Sequence, residues 1–146
     1  MERERLIEVH LRHFLTYKVG IKNCQMQLNY ISPTLTTNYH KNEDYSYFYI
    51  SNNTEKVALD RIESKRALDL NEEIERYKII VESIQNAFNE LKPQEKDFVE
   101  YRYFSCYSIA DVKQLMGYSE DKSIYRIRRH VLDKLLISLN NLLTFK

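Results

Sequence analysis

Between residues 122 and 135 the chain reads KSIYRIRRHVLDKL, which sets Lys122, Arg126, Arg128, Arg129 and Lys134 against a single acid, Asp133. Guanidinium groups at this density suit one kind of chemistry. They hold anions through paired, charge-assisted hydrogen bonds, whether the anion is a phosphate or the partner is the O6/N7 edge of a guanine. At helical spacing Ile124, Ile127, Val131 and Leu135 share one face, while Lys122, Arg126 and Arg129 fall on the opposite one with Tyr125 and Arg128 flanking. The apolar row is expected to pack inward and the basic row to point outward. A solvated helix face is the competing reading, and the residues just before the basic stretch are what favour nucleic acid.

Those residues have the layout of a short helix, a tight turn and a second helix. Ser108 is placed to cap IADVKQLM, Gly117 stands where that helix must stop, and Ser119 or Asp121 is placed to cap the basic helix. Upstream, LKPQEKDFVEYRYF has Pro93 near a helix start, where a missing N–H costs little, and Phe98, Val99, Tyr101 and Phe104 supply apolar contacts. SCY is a short break between the two. Ser108 and its turn could hold a phosphate through helix N–H groups, while Lys122, Ser123, Tyr125, Arg126 and Arg129 would contact bases and phosphates.

The stretch from Leu91 to Leu135 resembles the helix-turn-helix of sigma-factor region 4. In that motif an acid-aliphatic pair, a Leu-Gly turn, a Ser and a basic helix ending in Lys-Leu recur; here these are Asp111-Val112, Met116-Gly117, Ser119 and the run through Lys134-Leu135. With the helical segment before it and the run YRIRRHVLDKL, the chain is similar to the RinA and ArpU group of phage late-gene transcription regulators, chiefly over residues 54 to 135. The resemblance implies a phage or prophage DNA-binding regulator, an activator of late genes, with Ser108, Ser119, Lys122, Ser123, Tyr125, Arg126, Arg128 and Arg129 as DNA-binding residues. It also implies double-stranded DNA as partner, with RNA polymerase and a second copy of the chain as further ones. Lys113 departs from the motif, standing where a small Ala is usual, so either its stem lies at the edge of the packing or the two helices cross at a wider distance.

Two long elements must carry this motif. Ile7, His10, Phe14, Tyr17, Ile21, Cys24, Leu28 and Ile31 recur at alternating three and four, which predicts one helix over residues 1 to 31 with Gly20 as a local weakness of roughly 1 kcal/mol. A second stripe, Leu70, Ile74, Tyr77, Val81, Ile84, Phe88 and Leu91, predicts a helix from about Asn53 to Asn89. Residues 32 to 52 between them begin with Ser-Pro and end Tyr-rich, and read as a long connection with YSYFYI as a short extended piece. The expected fold is therefore all-α: residues 1–89 as a long, coiled-coil-like helical hairpin and residues 90–146 as a helix-turn-helix domain. The last helix is expected to continue through LLISLNNLLTFK, with Leu135, Leu136, Leu139, Leu142 and Leu143 docking on the hairpin or joining two chains.

Charge and composition narrow the classes. The chain has 146 residues and a formal net charge of +1, but residues 32–89 hold seven bases and ten acids, and residues 90–146 ten bases and eight acids. A nucleic acid senses that local layout more than the total. Two Gly and two Pro leave little turn punctuation for a many-stranded fold and cannot build a phosphate-binding glycine loop. With no long apolar run, and acids among the bases of MERERLIEVH, a membrane span and a signal peptide are not expected, and a cytoplasmic protein is. Cys24 and Cys106 suit a reducing compartment. His10 and His13 lack further ligands for a metal, Cys106 lacks a nucleophile signature, and Glu72, Glu73 and Glu75 read as a solvated face, so no enzyme, metal or cofactor is expected. Tyr39, Tyr45, Tyr47, Phe48 and Tyr49 could stack on bases or cover the hairpin, and apolar cover is the plainer use. Two other functions fit an all-α chain of this kind: a terminase small subunit that recognises DNA for packaging, and a helical protein-interaction module.

Overall fold

The computed structural model describes residues 2–40 and 53–144, and the side chains of 2–31 and 57–144. Among the described residues every regular element is helical. They are α1 (Glu2–Arg12), α2 (Phe14–His40), α3 (Asn53–Asn89), α4 (Pro93–Val99), α5 (Ile109–Leu115) and α6 (Asp121–Ser138), with a π-helical turn at Glu100–Phe104 and a 3-10 turn at Asn140–Thr144. The chain divides into one unit of residues 1–18 and 78–146 and another of residues 19–77. That division differs from the boundary at 89/90 expected from sequence, because α1 and the end of α3 pack with the C-terminal helices.

The first unit is built around an apolar core that draws Ile7 and Leu11 from α1, Phe14 from α2 and Ile80, Ile84 and Ala87 from α3. From the C-terminal part come Phe98, Val99, Tyr103, Val112, Ile124, Val131, Leu135, Leu139 and Leu142. Aromatic rings interlock inside it: Phe14 stacks on Phe104 at 4.6 Å, and Phe98 meets Tyr103 edge-on at 5.9 Å. The helix read over residues 1 to 31 is instead two helices that abut at His13. The break is slight, since the His13 N–H donates to Val9 O at 3.1 Å and the Tyr17 N–H to His13 O at 2.8 Å. The terminal leucines pack in this same core, and the expected continuous last helix ends at Ser138 and gives way to the 3-10 turn, where Asn141 Nδ2 donates to Ser83 Oγ at 3.1 Å.

In the second unit the stripe residues Ile21, Cys24, Leu28, Ile31 and Leu70 are half-buried, and Ile74 is buried. Gly20 has a specific place there. A Cβ on it would lie 3.0 Å from Tyr77 Cε2, so the bare glycine face admits the Tyr77 ring. The Tyr77 hydroxyl is pushed above its ordinary pKa by its hydrogen bond with Glu73 and by burial. The connection expected from residue 32 begins later, for α2 runs through Ser32-Pro33 to His40. The expected extended piece YSYFYI, with Tyr45, Tyr47, Phe48 and Tyr49, lies outside the described residues, as does the side chain of Tyr39.

Candidate nucleic-acid interface

The frame of the site starts at Pro93, the first residue of α4, preceded by Lys92 in extended conformation. Glu95, two residues further in, accepts the Lys92 backbone N–H at 3.0 Å and so closes the helix start. The same carboxylate, 8 % exposed as a residue, takes Lys134 Nζ of α6 at 2.8 Å on both oxygens. Burial alone would raise the Glu95 carboxyl, but the Lys134 and Lys92 hydrogen bonds and charges outweigh it and hold the group below its usual value. After α4 the backbone widens into the π-helical turn, where the Ser105 N–H donates to Glu100 O at 2.8 Å. Cys106 then reverses the chain in the left-handed region, with φ 56°. Its thiol donates to Tyr103 O at 3.2 Å, which makes it a turn thiol.

Ser108 caps α5 as its sequence position suggests, its Oγ accepting the Asp111 N–H at 3.2 Å. Asp111 also places a negative charge in that first turn. At the other end of α5 the Tyr118 N–H donates to Lys113 O at 3.1 Å and the Gly117 N–H to Gln114 O at 3.2 Å. Gly117 has φ 75°, so this is a Schellman closure in the conformation that glycine tolerates best. The cap expected at Ser119 or Asp121 falls between them, at Glu120, with no side-chain bond to the helix N–H groups. Ser119 is exposed and precedes that cap, while the Asp121 carboxylate is drawn off by Lys113 Nζ at 2.9 Å. That ion pair also places Lys113, its head tied to the start of α6 and its side chain 28 % exposed.

On α6 the two-faced pattern holds. Ile124, Val131, Leu132 and Leu135 are buried and Ile127 is half-buried. Lys122, Arg126 and Arg129 are exposed, Tyr125 is 54 % exposed, and Ser123 is half-buried in the first turn. Among the described residues Lys122, Arg126 and Arg129 make no ion pair. The structure thus brings Lys122, Tyr125, Arg126 and Arg129 together on one outward surface.

Arg128 does not join them. Its Nε and Nη2 donate to Glu8 Oε1 of α1 at 3.2 and 2.7 Å, and the Tyr103 hydroxyl donates to the same oxygen at 2.9 Å. The Glu8 side chain is 15 % exposed and Tyr103 is fully buried. Burial raises the Tyr103 hydroxyl far above its ordinary pKa, with the Glu8 charge and hydrogen bond adding to it. For Arg128, burial works to lower the pKa, but the hydrogen bond and charge of Glu8 more than offset it and the net shift is upward. Arg128 is therefore a positioning group that ties α6 to α1. Sequence reasoning missed Glu8 and Tyr103; the one available signal was an acid at the border of the Ile7–Leu11 stripe, a place where a charge requires a partner.

The two histidines on the first helices do not pair with each other. His10 Nδ1 and the Tyr17 hydroxyl share a 2.9 Å hydrogen bond, and the His13 ring meets Tyr17 edge-on at 6.3 Å. Comparison with family models, with curated proteins and with solved structures gives no match.

Proposed function

We propose that the protein is a sequence-specific double-stranded DNA-binding transcription regulator in which α5 and α6 act as a helix-turn-helix and α2 and α3 form the helical hairpin that carries it. One observation supports this reading above all: the split among the five bases of α6. Arg128 and Lys134 are consumed by Glu8 and Glu95, whereas Lys122, Arg126 and Arg129 stand outward and unpaired among the described residues. Unpaired guanidinium groups on one exposed helix face can take guanine edges or phosphates without first losing an internal partner. Tyr125 between them adds a ring that can lie along the groove wall. The phage or prophage origin and the late-gene role rest on the resemblance of residues 54 to 135, and contact with RNA polymerase belongs to the same expectation.

The test is selection from a pool of random duplex DNA at two salt concentrations, followed by sequencing of the retained molecules. Enrichment of one motif, with retention that weakens steeply as salt rises, is the expected result. Retention without enrichment, together with a ring-sized mass in solution, would favour the packaging alternative. Absence of retention at low salt would leave the α6 surface to a protein partner.

A further inference from the structure

We infer that α1 is part of the DNA-binding surface, with Arg5 and Arg12 gripping the phosphate backbone beside the tract that α6 reads; this rests on the DNA-binding reading above. Glu8 fixes the geometry. Its bonds to Arg128 at 2.7 and 3.2 Å decide which face of α1 lies along α6. Arg5 and Arg12 stand three residues before and four residues after Glu8, so they share that face. Both are exposed, and among the described residues neither makes an ion pair. The acid between them is already neutralised by Arg128, and Glu4, one turn earlier, is half-buried. The outward positions beside Glu8 are therefore held by two arginines, with exposed Glu2 one turn before Arg5.

The flank of α6 that meets α1 is the useful one. Tyr125 lies one turn from Arg128 and Arg129 one turn beyond Tyr125 on its other side, both exposed, so the α1 arginines approach the basic surface of α6 from its Tyr125 flank. Arg5 and Arg12 are about 10.5 Å apart along the helix axis. That is roughly three base-pair rises of 3.4 Å along the duplex axis, far enough apart for the two arginines to meet separate phosphates. Such contacts would add affinity and fix orientation without reading sequence.

The test titrates the full chain, the double variants R5Q/R12Q and R5K/R12K, and R126A/R129A against a random-sequence duplex pool over a series of salt concentrations. R5Q/R12Q is expected to lower the magnitude of the slope of log K against log salt by about 1.8, at about 0.9 per phosphate contact, with the wild-type sequence preference retained. R5K/R12K, which keeps both charges, is expected to restore the slope. A wild-type slope and affinity in R5Q/R12Q would overturn the inference, and so would a changed sequence preference, which would make these arginines base readers. Should R126A/R129A lose binding while R5Q/R12Q does not, the α1 inference falls and the DNA-binding reading stands. Failure of the wild-type chain to bind the pool at low salt would overturn both.

Discussion

Replacing Glu8 by Ala would strip two partners at once, and the size of the effect follows from how buried each one is. The Tyr103 hydroxyl is fully enclosed and has Glu8 Oε1 as its acceptor at 2.9 Å. Losing a hydrogen bond to a charged group in the core costs about 1.5–3 kcal/mol. Arg128 is worth less, since its side chain is 33 % exposed and water can replace the carboxylate; about 0.5–1 kcal/mol is the appropriate scale for a pair screened in this way. Together E8A is expected to lose about 2–4 kcal/mol, which at about 2–4 °C per kcal/mol for a chain of this size lowers the melting midpoint by roughly 4–16 °C. Urea unfolding followed by far-ultraviolet circular dichroism measures it directly. The cause is isolated by a cycle with Tyr103→Phe: removing the hydroxyl along with its acceptor abolishes the orphaned donor, so the double variant should be less destabilised than the sum of the singles by about 1 kcal/mol or more. Stability of E8A within about 0.5 kcal/mol of wild type, or strict additivity in the cycle, would refute the assignment of this network.

Gly117→Ala is expected to cost about 1–2 kcal/mol in urea unfolding, solely through its φ of 75°, since no atom lies within 4 Å of a Cβ built there; Gly117→Asn should cost less. Glu95 carries a pH signature. Its carboxyl is held below the ordinary 4.5 in the folded chain, so it contributes stability above that value and loses the contribution as pH falls through the lower, folded value. The unfolding free energy should therefore drop on acidification below about pH 4.5, and Glu95→Gln should flatten part of that drop in a denaturant series run from neutral to acid pH.

Much of the frame could be read from side-chain period and turn chemistry. Ile124, Ile127, Val131 and Leu135 face inward because helical spacing leaves them no other face, and Ser108 and Gly117 punctuate α5 because a short hydroxyl and a missing Cβ are what its two ends require. Pro93 marks the start of α4 for the same local kind of reason. The partner of Arg128 could not be read in this way. Arg126, Arg128 and Arg129 are the same residue type within four positions, and what separates them is an acid 120 residues away in sequence, brought close only when α1 packs on α6. The place of α1 in the C-terminal core was hidden for the same reason, since an apolar stripe says that a face will be covered and not by what. Gly20 illustrates the reverse error. Propensity counts it as a weak point of α2, whereas the Tyr77 ring occupies the room that its missing Cβ leaves. The cap of α6 falls at Glu120, and the Asp121 carboxylate pairs with Lys113.

The central claim is that the outward face of α6 binds DNA through Arg126 and Arg129. It is tested most directly by measuring retention of one random-sequence duplex pool by the wild-type chain and by R126A/R129A at the same low salt, with circular dichroism on both proteins. The account predicts strong retention by the wild type and a marked loss of retention in the variant at unchanged helicity. Equal retention by the two proteins, or a variant that loses its helical signal, would contradict the placement of these arginines on an exposed DNA-binding face.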